Sequence, residues 1–136
     1  DAGFVPDLGM LLKESDVISL NCPLTPQTHH LIDKDALQLM KEDALLINIS
    51  RGAVIDEAAL AEALHTGKIA GAGLDVYENE PEVHPELLSA PNCLMLPHIA
   101  SATYETREAI GMLAAEAIIA VVTGNQDDQI PNLIKL

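Results

Sequence analysis

The sequence predicts an α/β protein built on a parallel sheet. Short apolar runs alternate with helical patterns along the chain, an order typical of parallel strands joined by right-handed crossovers. The clearest run begins at Leu45 and is continuously apolar, which indicates a strand buried on both faces. Hydrophobic residues make up 49% of the chain but aromatic residues only 2%, so we expect an aliphatic core.

Four strands and four helices follow from the apolar pattern and from the residues that interrupt it. We expect strands over residues 16–20, 44–49, 68–76 and 93–96, and helices within 1–14 and over 33–40, 57–66 and 103–123. Asp33 and Asp56 are placed to cap the second and third helices. Gly67 and Gly124 are placed to end the third and fourth.

The two ends of the chain are less regular than its middle. The sequence starts abruptly in a helical pattern, so we expect that an upstream part is missing. Residues 125–136 change from polar to apolar and are expected to dock elsewhere. The last helix carries apolar residues at the 3.6-residue period of a half-buried helix, namely Ile110, Leu113, Ala114, Ala117, Ile118 and Val121.

Composition excludes several classes of function. The net charge is −14, with only seven lysines and arginines, and this argues against nucleic acid as a partner. No apolar run is long enough to cross a membrane, and no signal peptide opens the chain. Cys22 and Cys93 have no metal-ligand spacing, so we expect a reduced, cytoplasmic setting and no metal site. Four histidines are expected to be solvated: His29, His30, His65 and His84.

Polar residues follow the strands at the points where we expect each strand to end. Because the carboxyl ends of parallel strands share one edge of the sheet, these residues should converge on one crevice, where open α/β sheets bind ligands. The crevice would hold a guanidinium, two or three carboxylates and an imidazole. Its members are Asn21, Cys22, Pro23, Asn48, Ser50, Arg51, Asp75, Glu80 and His98.

Each charged member has an alternative interpretation. Arg51 could be a surface arginine, but its place after a buried strand favours binding of a carboxylate and a neighbouring carbonyl by its planar guanidinium. His98 could be a core histidine, but it directly follows a strand, as an acid/base group would. Glu80 by itself is typical of a solvated loop. Asp75 ends a strand, where a carboxylate can accept from an amide-bearing ligand.

Three segments of the chain resemble the D-isomer-specific 2-hydroxyacid dehydrogenases, in order and with the spacing of that family. They are residues 48–52 (NISRG), 73–81 (GLDVYENEP) and 96–103 (LPHIASAT). Within the family, residues 77–85 and 103–107 most resemble glyoxylate and hydroxypyruvate reductases. The resemblance implies the second half of a Rossmann-like nucleotide-binding domain over residues 1–124, and a tail over 125–136 that returns toward a substrate domain.

The resemblance also implies roles for the residues of the crevice. Arg51 would hold the substrate carboxylate and carbonyl, His98 would be the acid/base, and Glu80 would orient His98 and favour its protonated form. Asp75 would lie near the nicotinamide amide. The implied cofactor-lining positions are Cys22, Pro23, Ile49, Ser50, Arg51, Asp75, His98, Ala100 and Ser101.

The function that the resemblance implies is interconversion of a 2-oxo acid and a D-2-hydroxy acid with NAD or NADP, by a full-length homodimer. The family's phosphate loop and the acidic residue on the adenosine ribose would lie upstream of residue 1, so the sequence does not choose between NAD and NADP. Two alternatives remain open at this point. One is a non-catalytic, dinucleotide-sensing protein like the related corepressors, and the other is an inactive truncated chain.

Overall fold

The computed structural model of the protein describes residues 3–124, and four parallel strands form its sheet. The strands are β1 (Val17–Leu20), β2 (Leu45–Asn48), β3 (Gly71–Leu74) and β4 (Cys93–Met95), paired in that order. In register, Ile18 lies beside Leu46 and Leu46 beside Ala72. The predicted parallel α/β architecture is confirmed, and all four strands end at the same edge.

One helix precedes the first strand and two connect later strands, and each of the three begins directly after an aspartate. They are α1 (Leu8–Glu14), α2 (Lys34–Leu39) and α3 (Glu57–His65). Asp7, Asp33 and Asp56 each accept a hydrogen bond from the backbone N–H three residues later, at 2.7–3.0 Å. These bonds confirm the predicted caps at Asp33 and Asp56. Such a cap stabilises a helix by about 1 kcal/mol. Short 3₁₀ turns follow at Gly52–Val54 and Leu87–Ser89.

Strand β3 is shorter than the sequence predicts, because the residues before it complete the end of α3. Gly67 has a φ of +69°, as expected of a glycine that ends a helix. The N–H of Lys68 then donates to the carbonyl of Ala63 at 2.8 Å, which holds residue 68 against the helix. The regular strand therefore starts only at Gly71.

The core is aliphatic and lies against one face of the sheet. Ile18, Leu46 and Ala72 share that face and pack in one cluster with α1, α2 and α3. On the opposite face, Val17 and Leu45 remain 60% and 42% exposed. The prediction that the strand beginning at Leu45 is buried on both faces is therefore wrong for the described residues. A continuous apolar run does not reveal how many faces have a covering layer.

The chain divides into two compact units, residues 1–98 and 99–136. In the second unit, α4 (Tyr104–Val122) is capped by Thr103 and followed by Gly124 at a φ of +77°. The apolar stripe predicted to be half-buried is exposed, with Leu113 at 47% and Ile118 at 63%. Met112 and Ile119 lie off that stripe, so the helix is apolar on more than one side.

The structure leaves two sequence expectations without a test. The tail at 125–136 lies outside the described residues, and the division of the chain at residue 124 stays a prediction.

Among the helices within residues 3–124, none has both the length and the apolarity that crossing a bilayer would require.

Candidate active site at the carboxyl edge of the sheet

The loop that follows β2 is held by the buried side chain of Asn48, which is only 1% exposed. Its Oδ1 accepts from the backbone N–H of Ser50 at 3.0 Å and from the Ser50 hydroxyl at 2.9 Å. Its Nδ2 donates to the carbonyl of Arg51 at 3.0 Å. A buried amide satisfied in this way fixes the backbone of residues 48–51, so Arg51 leaves the sheet edge in a defined direction.

Gly52 brings this loop against the loop that follows β3. A Cβ atom at Gly52 would lie 1.8 Å from the carbonyl carbon of Tyr77 and 2.3 Å from the nitrogen of Glu78. No side chain fits there without moving the backbone, so this close approach requires glycine. The arginine is thereby held next to the segment that carries Glu80.

The guanidinium of Arg51 is available for a ligand. Its Nη1 donates to the carbonyl of Ser50 at 2.7 Å, and within residues 3–124 no carboxylate forms an ion pair with it. A guanidinium has five N–H donors, so most of its donors stay open to a planar anion such as a carboxylate.

His98 and Glu80 form a hydrogen-bonded pair. The Nδ1 of His98 lies 2.8 Å from Oε2 of Glu80, and the other oxygen, Oε1, accepts from the backbone N–H of Tyr77 at 3.0 Å. The bond to His98 and the bond from Tyr77 together hold the pKa of Glu80 below its ordinary value. An ionised carboxylate only accepts hydrogen bonds, so Nδ1 of His98 carries a hydrogen and Nε2 is left to exchange a proton.

Tyr77 connects the two partners of this pair. Its backbone N–H bonds Glu80, and its hydroxyl donates to the carbonyl of Leu96 at 2.8 Å, two residues before the histidine. Burial raises the pKa of the Tyr77 hydroxyl, so it remains a donor at neutral pH. His98 itself has a φ of +55°, a left-handed conformation that costs a non-glycine residue about 1–2 kcal/mol. Such strain is typical of positions fixed by function.

A cavity of about 730 Å³ opens beside these residues, and Arg51, Glu80 and His98 all line it. The sequence predicted that a guanidinium, two or three carboxylates and an imidazole converge on one crevice, and in the structure Arg51, Glu80 and His98 line one cavity. The roles assigned to them stay predictions.

A second cavity of about 550 Å³ collects most of the residues predicted to line the cofactor. Its wall includes Cys22, Pro23, Ile49, Ser50 and Arg51. It gives a nicotinamide dinucleotide an apolar and hydroxyl-bearing surface next to the arginine, so the residues present fit such a ligand.

Four other predicted cofactor positions do not line this second cavity. One of them, His98, lines the first cavity instead. Asp75 is 2% exposed and lines neither of the two cavities described here. Ala100 and Ser101 belong to the second unit. Their contact with a cofactor stays a prediction.

Two of the four histidines that were expected to be solvated, His30 and His84, are only partly exposed. Nε2 of His30 lies 2.8 Å from Oε1 of Glu78, and Nδ1 of His84 is buried. The ring of His29 stacks on that of His30 at 4.0 Å and 29°. The ligand atoms of His29, His30 and Glu78 lie within 4.8 Å of one another, the one such group found within residues 3–124. Within this group the structure shows one hydrogen bond, between His30 and Glu78.

Sequence reasoning missed one buried carboxylate near the site. Glu57 is 4% exposed, and its two oxygens accept from the backbone N–H groups of Glu78 at 2.7 Å and His84 at 3.3 Å. A glutamate in the first turn of a helix is common, and nothing in its local sequence distinguishes a buried one from an exposed one.

Comparisons with known proteins agree with this geometry. Residues 2–100 match the family model described as D-isomer specific 2-hydroxyacid dehydrogenase, NAD binding domain. A glyoxylate reductase of Thermococcus litoralis is 52% identical over 128 residues, covering 94% of this chain and 38% of that protein. A glyoxylate/hydroxypyruvate reductase B of Pectobacterium carotovorum is 50% identical over 127 residues, covering 93% and 40%.

A solved structure shows the same fold. The NADPH-dependent glyoxylate/hydroxypyruvate reductase of Sinorhizobium meliloti, in complex with NADP and malonate, superposes with a TM-score of 0.83 at 42% identity. The match covers 88% of this chain and 38% of that one, so the chain spans about two fifths of the length of the relatives it matches. On this evidence, the chain belongs to the D-isomer-specific 2-hydroxyacid dehydrogenase family, and its residues 2–100 match the NAD-binding domain of that family.

Proposed function

We propose that this chain is part of a longer enzyme that interconverts a 2-oxo acid and a D-2-hydroxy acid with NAD or NADP, as a glyoxylate or hydroxypyruvate reductase does. The observation that carries the proposal is the His98–Glu80 pair on the same cavity wall as an arginine that has no carboxylate partner in the described chain. The names of the relatives, glyoxylate reductase and glyoxylate/hydroxypyruvate reductase, support this substrate class.

Three side chains have separate roles in the reduction of a 2-oxo acid. Arg51 binds its carboxylate and polarises its carbonyl, which fixes the position of the C2 carbon. When bound, the dinucleotide supplies the hydride that C2 receives. His98 gives the proton on Nε2 to the carbonyl oxygen, which becomes the hydroxyl of the product. Glu80 holds Nδ1 of His98 at 2.8 Å and stabilises the positive charge of the imidazolium before the transfer.

The cofactor would be held next to this group by the second cavity. Cys22, Pro23, Ile49 and Ser50 supply its wall, and Ala100 and Ser101 are further proposed contacts. Asp75 is proposed to accept from the nicotinamide amide. Arg51 lines both cavities, so one residue borders both the proposed substrate and the proposed cofactor.

The proposal extends to the setting of the full-length protein. A net charge of −14 and two free cysteines are consistent with a cytoplasmic enzyme that binds neither nucleic acid nor membrane. A homodimer is the proposed assembly, and light scattering of the full-length protein tests it. A monomeric mass at assay concentration would refute this part.

The test of the activity is an assay of the full-length protein with reduced nicotinamide and glyoxylate or hydroxypyruvate. His98→Gln should lower kcat/KM by at least about a hundredfold, because the general acid is lost. His65→Gln, which changes an exposed histidine on α3, should leave the rate unchanged. A wild-type protein that binds the dinucleotide in calorimetry but reduces no 2-oxo acid would refute the proposal and favour a sensing role.

A further inference from the structure

Glu57 is a buried carboxylate with no cationic partner within residues 3–124. It lies in the first turn of α3, directly after the cap residue Asp56. Burial raises the pKa of Tyr77 and of Cys93, and the negative charge of Glu57 adds to both shifts. Burying such a charge is costly unless hydrogen-bond donors and a helix N-terminus compensate it, and here both are present.

The hydrogen bonds of Glu57 reach across the fold. Its Oε1 accepts from the N–H of Glu78 at 2.7 Å and its Oε2 from the N–H of His84 at 3.3 Å, 21 and 27 residues away along the chain. A first-turn glutamate that only interacts with the helix dipole would not need to be buried or to bond a distant loop. The contacts therefore indicate a tertiary role.

The two amides that Glu57 holds lie on either side of Glu80 in the sequence. Residues 78–84 thus form a segment anchored near both ends by one carboxylate. The side chain of Glu78 is fixed further by His30 at 2.8 Å, and the N–H of His30 donates to the carbonyl of Ala53 at 2.8 Å. Glu80 is carried in the middle of this anchored segment and reaches His98.

We propose that Glu57 is a positioning residue for the Glu80–His98 pair, acting through the backbone of residues 78–84. The inference rests on the proposed function, since the pair has a catalytic task only in that reaction. Arg51 is fixed separately by Asn48, so Glu57 controls the proton-transfer pair and not the binding of the substrate carboxylate.

Glu57→Gln in the full-length protein tests this inference. A glutamine keeps one accepting oxygen but turns an NH₂ donor toward the second backbone N–H, so one end of the segment loses its anchor. We expect kcat/KM for reduction to fall by about ten- to a hundredfold, because misplacing a catalytic group by a fraction of an ångström to an ångström has effects of this size. The fall should lie mainly in kcat, with KM for the 2-oxo acid nearly unchanged.

A double mutant separates positioning from general destabilisation. If Glu57 acts through Glu80, then Glu57→Gln added to Glu80→Gln should cost no more than about a further twofold. The matched control is Glu62→Gln on the same helix, an exposed residue paired with Lys34 at 2.8 Å, which should change neither activity nor pH profile. An equal loss from Glu57→Gln in both backgrounds, or no loss in either, would overturn the inference.

A second measurement decides the inference without turnover. The hydrogen bond between Nδ1 of His98 and Glu80 can be followed by NMR through the Nδ1 proton, whose downfield signal should weaken in Glu57→Gln as Glu80 moves away. The positive charge of Arg51 also acts on Glu80, and Glu57→Gln leaves Arg51 in place. An unchanged Nδ1 proton signal in Glu57→Gln overturns the positioning role. A wild type that reduces no 2-oxo acid overturns the proposed function, whatever this signal does. Should Glu57→Gln not fold, Glu57→Asp keeps the charge but reaches only one amide, and the same readouts apply.

Discussion

Removing the charge of Glu80 gives the sharpest test of the proton-transfer pair. Glu80→Gln keeps the shape of the side chain and an oxygen that can accept from the N–H of Tyr77 or from Nδ1 of His98. What it removes is a negative charge 2.8 Å from the imidazole. The protonated form of His98 then loses an electrostatic partner, while its neutral form is little affected.

The size of the effect follows from the distance and the exposure of the pair. Two unit charges about 4 Å apart interact with about 1 kcal/mol in water and about 4 kcal/mol near a protein surface. The side chains of His98 and Glu80 are 49% and 35% exposed, so the value should lie near the lower figure. Since about 1.4 kcal/mol corresponds to one pH unit, we expect the pH profile of kcat/KM to shift by about one unit in Glu80→Gln.

The direction of the shift is the same for both directions of the reaction. Reduction needs protonated His98, so the alkaline limb of kcat/KM should move to lower pH in Glu80→Gln. Oxidation needs neutral His98, so its acid limb should also move to lower pH. Glu86→Gln, an exposed carboxylate on the same loop, should leave both limbs in place. Profiles of Glu80→Gln that coincide with the wild type would show that Glu80 is only a solvated charge and that His98 has another partner.

The same pair also makes a contribution to stability that depends on pH. The pKa of Glu80 is lowered in the folded protein, mainly by the bond to His98 and then by the bond from Tyr77. A lowered carboxyl pKa stabilises the folded state above the ordinary pKa of the group, and this contribution is lost as the pH falls through the lowered value. Thermal unfolding of the wild type and Glu80→Gln should therefore differ at neutral pH and converge in acid.

Three further predictions follow from the arginine loop and the sheet. Arg51→Lys in the full-length enzyme should cost about 2–4 kcal/mol of transition-state stabilisation, because a lysine cannot pair bidentately with a carboxylate; near-normal kcat/KM on glyoxylate would refute the assignment. Gly52→Ala should destabilise the fold by about 3 kcal/mol in denaturant unfolding, because its Cβ meets the backbone of Tyr77, whereas Gly111→Ala on the open side of α4 should stabilise by up to about 1 kcal/mol. Residues 1–136 alone should self-associate through the sheet face on which Val17 and Leu45 are exposed, and should bind NADH weakly or not at all; a folded monomer with micromolar affinity in calorimetry would contradict both statements.

The location of the site was predictable because it depends on topology more than on packing. Parallel strands bring the residues after Asn48 and after Leu96 to one edge, and Arg51 and His98 lie there. The short helices were predictable because their caps are local, as with Asp33 and Ala36. In each case the deciding contacts lie within a few residues or follow from strand direction.

The features that sequence reasoning missed depend on contacts between distant segments. An apolar run cannot report that only one face of β2 is covered, since that depends on which helices pack there. The burial of Glu57 depends on amides 21 and 27 residues away, and the pairing of His30 depends on Glu78, 48 residues away. Nothing in the flanking sequence of these residues carries that information.

The two loops of the site share one principle of construction. Each is fixed by a single buried polar side chain that bonds the backbone on both sides of a functional residue: Asn48 bonds Ser50 and Arg51, and Glu57 bonds the backbone around Glu80. Gly52 then sets the spacing between the two loops, because the space between its Cα atom and the backbone of Tyr77 holds a hydrogen atom but no Cβ atom. A substitution at Gly52 should therefore increase the distance between the guanidinium of Arg51 and the Glu80–His98 pair. A substitution at Asn48 should disturb only the arginine, and one at Glu57 only the pair.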